Sequence, residues 1–167
     1  MSTRALNMDN LPFPERLLIW SLRTSYSPLI SGLDTKHSLE HAFRFAHIER
    51  ALPYFHTCAN TIAIALMDAQ ATVDLHRPPC PVVGRDEWHM VQAIAALQSR
   101  DRLLAGSYLE PLLPAAGIRI ACDSGSELAR MLSRLNFRLR PAALHPEEFT
   151  YAGHHSVAND PVTQTLH

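Results

Sequence analysis

The chain has 167 residues, 47% hydrophobic and 19% charged, with a formal net charge of −1. That length buries a core without disulfides or a structural metal, and the near-neutral charge excludes a global electrostatic footprint for nucleic acid or anionic lipid. A charged share below the roughly 25% of soluble domains leaves a comparatively apolar surface, which points to a protein partner or self-association.

In chain order, "LPFPERLLIWSLRTSY" opens the fold. Pro14 suits the first helical position, Glu15 lies near the positive helix end, and Leu17, Leu18, Ile19, Trp20 and Leu22 make the segment apolar nearly all round, hence buried. "SPLISGLDTKHS" reads as a loop, with Asp34 or Ser38 capping the next helix. That helix, "KHSLEHAFRFAHIER", runs towards Pro53, which a helix tolerates at its start and not in its interior. A separate helix therefore follows over 54–73, with Phe55, Cys58, Ala59, Ile62, Leu66, Ala69 and Val73 on one stripe.

"DLHRPPCPVVG" breaks the pattern as a rigid connector. Residues 85–106 predict one long helix with Asp86 as N-cap, Met90, Ile94, Leu97 and Leu104 on its core face, and Gly106 as its stop. Ser107 and Glu110 resemble a capping box for a short helix near 109–113. Helical spacing then continues from Ile118 through Gly125, a tight packing point, to Leu135, favouring one helix over a fresh start capped by Ser124 and Glu127, and Asn136 ends it in a left-handed turn with Phe137 folding back. The class is all-α: a single compact bundle-like domain of five or six helices over 11–140, with a flexible N-terminus at 1–10 and a mobile tail at 141–167.

The histidines of the second helix are the first candidate chemistry. His37, Glu40, His41, Arg44 and His47 share one arc, and the i, i+4 spacing of His37 and His41 can hold one cation. Arg44 stands in the middle of that arc with Glu40 placed to pair with it, so a solvated face accounts for all five. His76 and Cys80 in the proline-rich connector are a second metal or thiol candidate, with Arg77 and Arg85 nearby to favour a thiolate. No cofactor is predicted outright; metal or haem ligation is the alternative, because one axial histidine or cysteine in an apolar bundle leaves little sequence trace. Cys58, on a core stripe, reads as a small buried hydrophobe.

The last helix is rich in arginine. Arg130, Arg134 and Arg138, with Arg119 and Arg140 around them and only Asp123 and Glu127 opposed, can meet phosphates. The same charges also complement the negative end of their own helix. The base-reading surface of a helix-turn-helix is missing, so nucleic acid is not the favoured partner. No nucleophile elbow, phosphate loop or dinucleotide fingerprint occurs.

Three cysteines, Cys58, Cys80 and Cys122, lie far apart with no C-x-x-C pair, which fits a reducing compartment. The first residues lack a signal pattern, and no apolar run reaches the ~18 residues of a membrane span. The expectation is a cytoplasmic, non-enzymatic helical module that binds a protein partner or a second copy of itself through Phe55, Ile62, Leu66, Met90, Ile94 and Leu97, in a regulatory or adaptor role and with no membrane partner. The alternatives are a metal or haem sensor built on the histidines and a DNA-binding regulator built on the 119–140 arginines.

Overall fold

A computed structural model describes residues 6–26 and 35–142. Among them the α-helices are α1 (Phe13–Tyr26), α2 (Lys36–Phe45), α3 (Leu52–Asp68), α4 (Arg85–Gln98), α5 (Arg102–Leu109) and α6 (Ala115–Arg134). No strand forms among the described residues beyond an isolated bridge between Asn7 and Val82, and the all-α class read from the periodicity holds. No helix there is long and apolar enough to cross a membrane. The expected tail lies, from residue 143, outside the described residues, as does the loop over 27–34 that contains Asp34.

α4 is the centre of the bundle. Every residue from Asp86 to Leu97 is buried, because α1, α5 and α6 pack around it. α3 runs antiparallel to α6, as shown by a Cβ at Gly117 meeting Ala65 while one at Gly125 would face Cys58. The tight point expected at Gly125 is present: an added Cβ would lie 2.8 Å from Leu97 Cδ1 and 3.2 Å from Ile94 Cδ1. Burying α4 on all sides forces its polar residues to find protein partners, since each unpaired buried group costs about 1–3 kcal/mol.

Arg23 of α1, fully buried, supplies the largest of those pairings. Its Nε and Nη2 donate to Glu87 Oε1 and Oε2, both at 2.7 Å. The remaining N–H groups donate to the carbonyls of Cys80 at 2.6 Å, Val82 at 2.7 Å and Arg77 at 3.4 Å. Glu87 in turn accepts the backbone N–H groups of His76 at 2.7 Å and Gly84 at 2.9 Å. This explains how a connector with three prolines stays ordered: proline donates nothing to a ladder, and the guanidinium gathers the carbonyls instead. Only glycine fits at position 84, where a Cβ would come within 2.5 Å of Asp74 O. The chain from Leu6, expected to be flexible, is laid on this connector through Met8 N–H to Pro81 O at 2.8 Å and Val83 N–H to Leu6 O at 3.0 Å.

Helices α2, α3, α4 and α6 end alike. His47, Gln70, Arg100 and Asn136 each have φ between 50° and 62°. In each case the next residue's N–H reaches back to the carbonyl five positions before it, as in Ile48 to Phe43, Ala71 to Leu66, Asp101 to Ala96 and Phe137 to Leu132. These are Schellman ends built without glycine.

Asn136 was expected; the other three differ from the sequence reading. α2 stops at Phe45, two residues short of His47. The expected long helix breaks after Gln98, where Arg100 turns left-handed and Asp101 caps α5 by accepting Leu104 N–H at 2.9 Å. Gly106 and Ser107 therefore lie inside α5, and the Ser107 hydroxyl donates to Leu104 O rather than capping a helix. The N-caps of α2 and α4 are Thr35 and Gly84, in place of Ser38 and Asp86.

Candidate functional site

The break between α4 and α5 opens a cleft of about 490 Å3, lined by Leu97, Gln98, Arg100 and Arg102, by Ser126, Arg130 and Ser133, and by Arg138. Four arginines from three separate chain segments line it. The αL turn at Arg100 and the cap at Asp101 set the first pair. On α6, positions 126, 130 and 133 follow one helical stripe, one turn apart. Arg134 is a further 100° around the helix and does not line the cleft.

Arg138 arrives on the segment 137–142, in which Phe137 and Leu139 are buried while Arg138 and Arg140 are exposed. Side chains grip this segment's backbone. Gln98 brackets Arg138, its Nε2 donating to Phe137 O at 2.8 Å and its Oε1 accepting Leu139 N–H at 2.9 Å. Glu15 Oε1 accepts Arg140 N–H at 2.5 Å, and Gln92 accepts Ala142 N–H at 2.7 Å while donating to Arg140 O at 3.3 Å.

The arginines of the cleft are held loosely. Arg102 pairs with Asp123 at 2.7 Å, with side chains half or more exposed, and donates to Arg119 O at 3.1 Å, while Arg130 pairs with the equally exposed Glu127. Such exposed pairs contribute only about 0–1 kcal/mol and are screened by salt. Arg138 donates to Ser133 Oγ at 3.3 Å. Arg100 has no carboxylate partner among the described residues. The Ser126 hydroxyl is committed to Cys122 O at 2.6 Å. No carboxylate, imidazole or thiol is among the lining residues, so the arrangement offers fork-shaped cationic donors, the chemistry that binds phosphate or carboxylate oxygens bidentately.

Elsewhere the candidates are dispersed. His37 and His41 are exposed on α2, and His37 faces Glu40 at 3.9 Å. His47 is past the helix end in its left-handed turn and no longer shares their arc. Among the described residues no group of three or more His, Cys, Asp or Glu side chains is placed to hold a metal ion. His76 lies 3.8 Å from Asp74, and Cys80 contributes its carbonyl to Arg23. Burial pushes the Cys58 thiol up to about 12, with a hydrogen bond to Ser124 opposing the shift, which leaves the thiol protonated and unreactive at neutral pH.

The six apolar side chains expected on an interaction surface, Phe55, Ile62, Leu66, Met90, Ile94 and Leu97, face inward instead. All are buried in the chain's own core, because the stripe that is apolar enough to attract a partner is first taken up by the neighbouring helices. The sequence reading found Arg130 and Arg138 but missed Arg100 and Arg102. The available signal was Asp101, an N-cap residue two positions before the Leu103–Leu104 pair. No protein-family model, curated protein or solved structure matches the chain.

Proposed function

We propose that the protein is a non-enzymatic binding module acting in the cytoplasm, whose working site is the arginine cleft and whose ligand is a small phosphate-bearing molecule. The observation that carries this reading is the convergence of Arg100, Arg102, Arg130 and Arg138 on one concavity of about 490 Å3. A solvated helix face does not produce that, because it spreads like charges along one element. The volume falls within the roughly 300–1,000 Å3 of small-molecule sites. The lining has no aromatic ring on which a nucleobase would stack, which favours a compact polyanion over single-stranded nucleic acid. The three free cysteines support a reducing compartment.

Titration calorimetry with inorganic pyrophosphate tests it. Arg100→Ala and Arg130→Ala should each weaken binding by about tenfold, the order expected for one lost charge-assisted pair. Equal affinity in both variants, or tighter binding of a DNA duplex than of pyrophosphate, would overturn the reading.

Self-association is a second reading, now carried by different residues. Ile64 and Met67 stand one turn apart on α3, 68% and 72% exposed. A concentration-dependent mass in light scattering, abolished by Ile64→Asp with Met67→Asp, is the expected sign; a constant monomer mass would discard it.

A further inference from the structure

We propose that the segment 137–142 is a strap whose docking completes the arginine cleft, so that phosphate binding and strap closure reinforce each other. This rests on the phosphate-cleft reading above.

The strap belongs to no helix or sheet ladder. Apart from the Phe137 N–H, which closes α6 on Leu132 O, its backbone is held by three side chains, Gln98, Glu15 and Gln92, and its apolar anchors are Phe137 and Leu139. Phe137 also meets the Phe13 ring edge-on, with centroids 6.2 Å apart. These contacts are separate from the packing of α4 against α1 and α6, and a unit released without disturbing that packing opens at less than the global unfolding cost.

Alternating burial along the strap is what aims Arg138. With Phe137 and Leu139 turned inward, the residue between them faces the other way, and there it lines the cleft. Gln98 ties the two functions in one side chain, since it lines the cleft and grips the backbone on both sides of Arg138. Lifting the strap therefore removes one of four cationic groups and one wall. A ligand that binds the closed form better must, by reciprocity, favour closure to the same extent. Whatever draws on the chain beyond residue 142 would then be felt at the cleft as a change in affinity.

The test uses the full chain and inorganic pyrophosphate. Hydrogen exchange of the Leu139 and Ala142 amides, which donate to Gln98 and Gln92, should slow by about fivefold or more at saturating pyrophosphate, within the usual range of site-to-site coupling. Arg138→Ala should abolish that slowing, and Gln92→Leu, outside the cleft lining, should weaken pyrophosphate binding severalfold. If Gln92→Leu does not fold, the exchange comparison between the wild-type chain and Arg138→Ala decides alone. Exchange that ignores saturating pyrophosphate, while Arg100→Ala still loses affinity, overturns the coupling and leaves the cleft reading intact. A wild-type chain that binds no pyrophosphate overturns both.

Discussion

Two arginine sites in this molecule use the same side chain to opposite ends. Arg23 has every N–H committed, to a carboxylate and to three carbonyls, and both members of its ion pair are wholly buried. Arg100, Arg102, Arg130 and Arg138 stand around an open cleft with exposed partners or with no carboxylate at all. The first arrangement has every N–H committed, whereas the second leaves several N–H groups uncommitted. The two sets differ in the completeness of their donors' partners, which residue type or local charge does not reveal.

The sharpest way to break the comparison is to remove Arg23. Arg23→Ala leaves Glu87 buried without its counter-charge and strands three carbonyls, so unfolding in denaturant should show a loss of about 3–5 kcal/mol. Arg23→Lys should recover little of it, because an ammonium cannot fill the fork between the Glu87 oxygens and the connector. An Arg23→Ala chain within ~1 kcal/mol of wild type would show the clamp to be dispensable.

Smaller effects sharpen the other side. Asp101→Ala removes the N-cap that starts α5 and should cost about 1 kcal/mol in the same assay, with weaker pyrophosphate binding as the α4–α5 corner loosens. Arg100→Gly is expected to split fold from function. Relief of the left-handed strain offsets the greater freedom of the unfolded chain, leaving stability within about 1 kcal/mol of wild type, while pyrophosphate affinity drops. Unchanged affinity would remove Arg100 from the site.

Acid response should come from α4 through His89, on the side away from Glu87, where its ring lies 6.0 Å from that of Tyr108. Burial lowers the His89 pKa from its ordinary 6.5, with Asp86 opposing and Arg85 adding to the shift. The unfolded chain then binds the proton first, so stability declines as pH falls through that ordinary value. Denaturation midpoints of His89→Gln measured across that range should lose this part of the slope; an identical slope would assign the acid response elsewhere.

The helical class and the packing at Gly125 were legible because spacing of apolar residues and a small residue at a helix crossing are local signals. So was the Asn136 turn. The α4–α5 break was not, because Gly106 offered the expected stop for that helix, whereas the chain turns left-handed at Arg100, as it does at His47 and Gln70. Missing that break hid half of the cleft, since within one unbroken helix over 85–106 nothing singled out Arg100 and Arg102. Arg23 was equally hidden: it lies in an apolar helix, and its partner Glu87 is 64 residues away. The interaction stripe misled for the complementary reason, that an apolar helix face is the same signal whether a partner or the chain's own bundle covers it.

The central claim is that phosphate binds where the four arginines converge. Titrating isotope-labelled full-length protein with inorganic pyrophosphate and following its backbone amide resonances tests this most directly. The account predicts saturable shifts centred on Arg100, Arg102, Ser126, Arg130 and Arg138, with the amides around Arg23 and Glu87 undisturbed. Shifts scattered over the surface, centred on His37 and His41, or failing to saturate would contradict it.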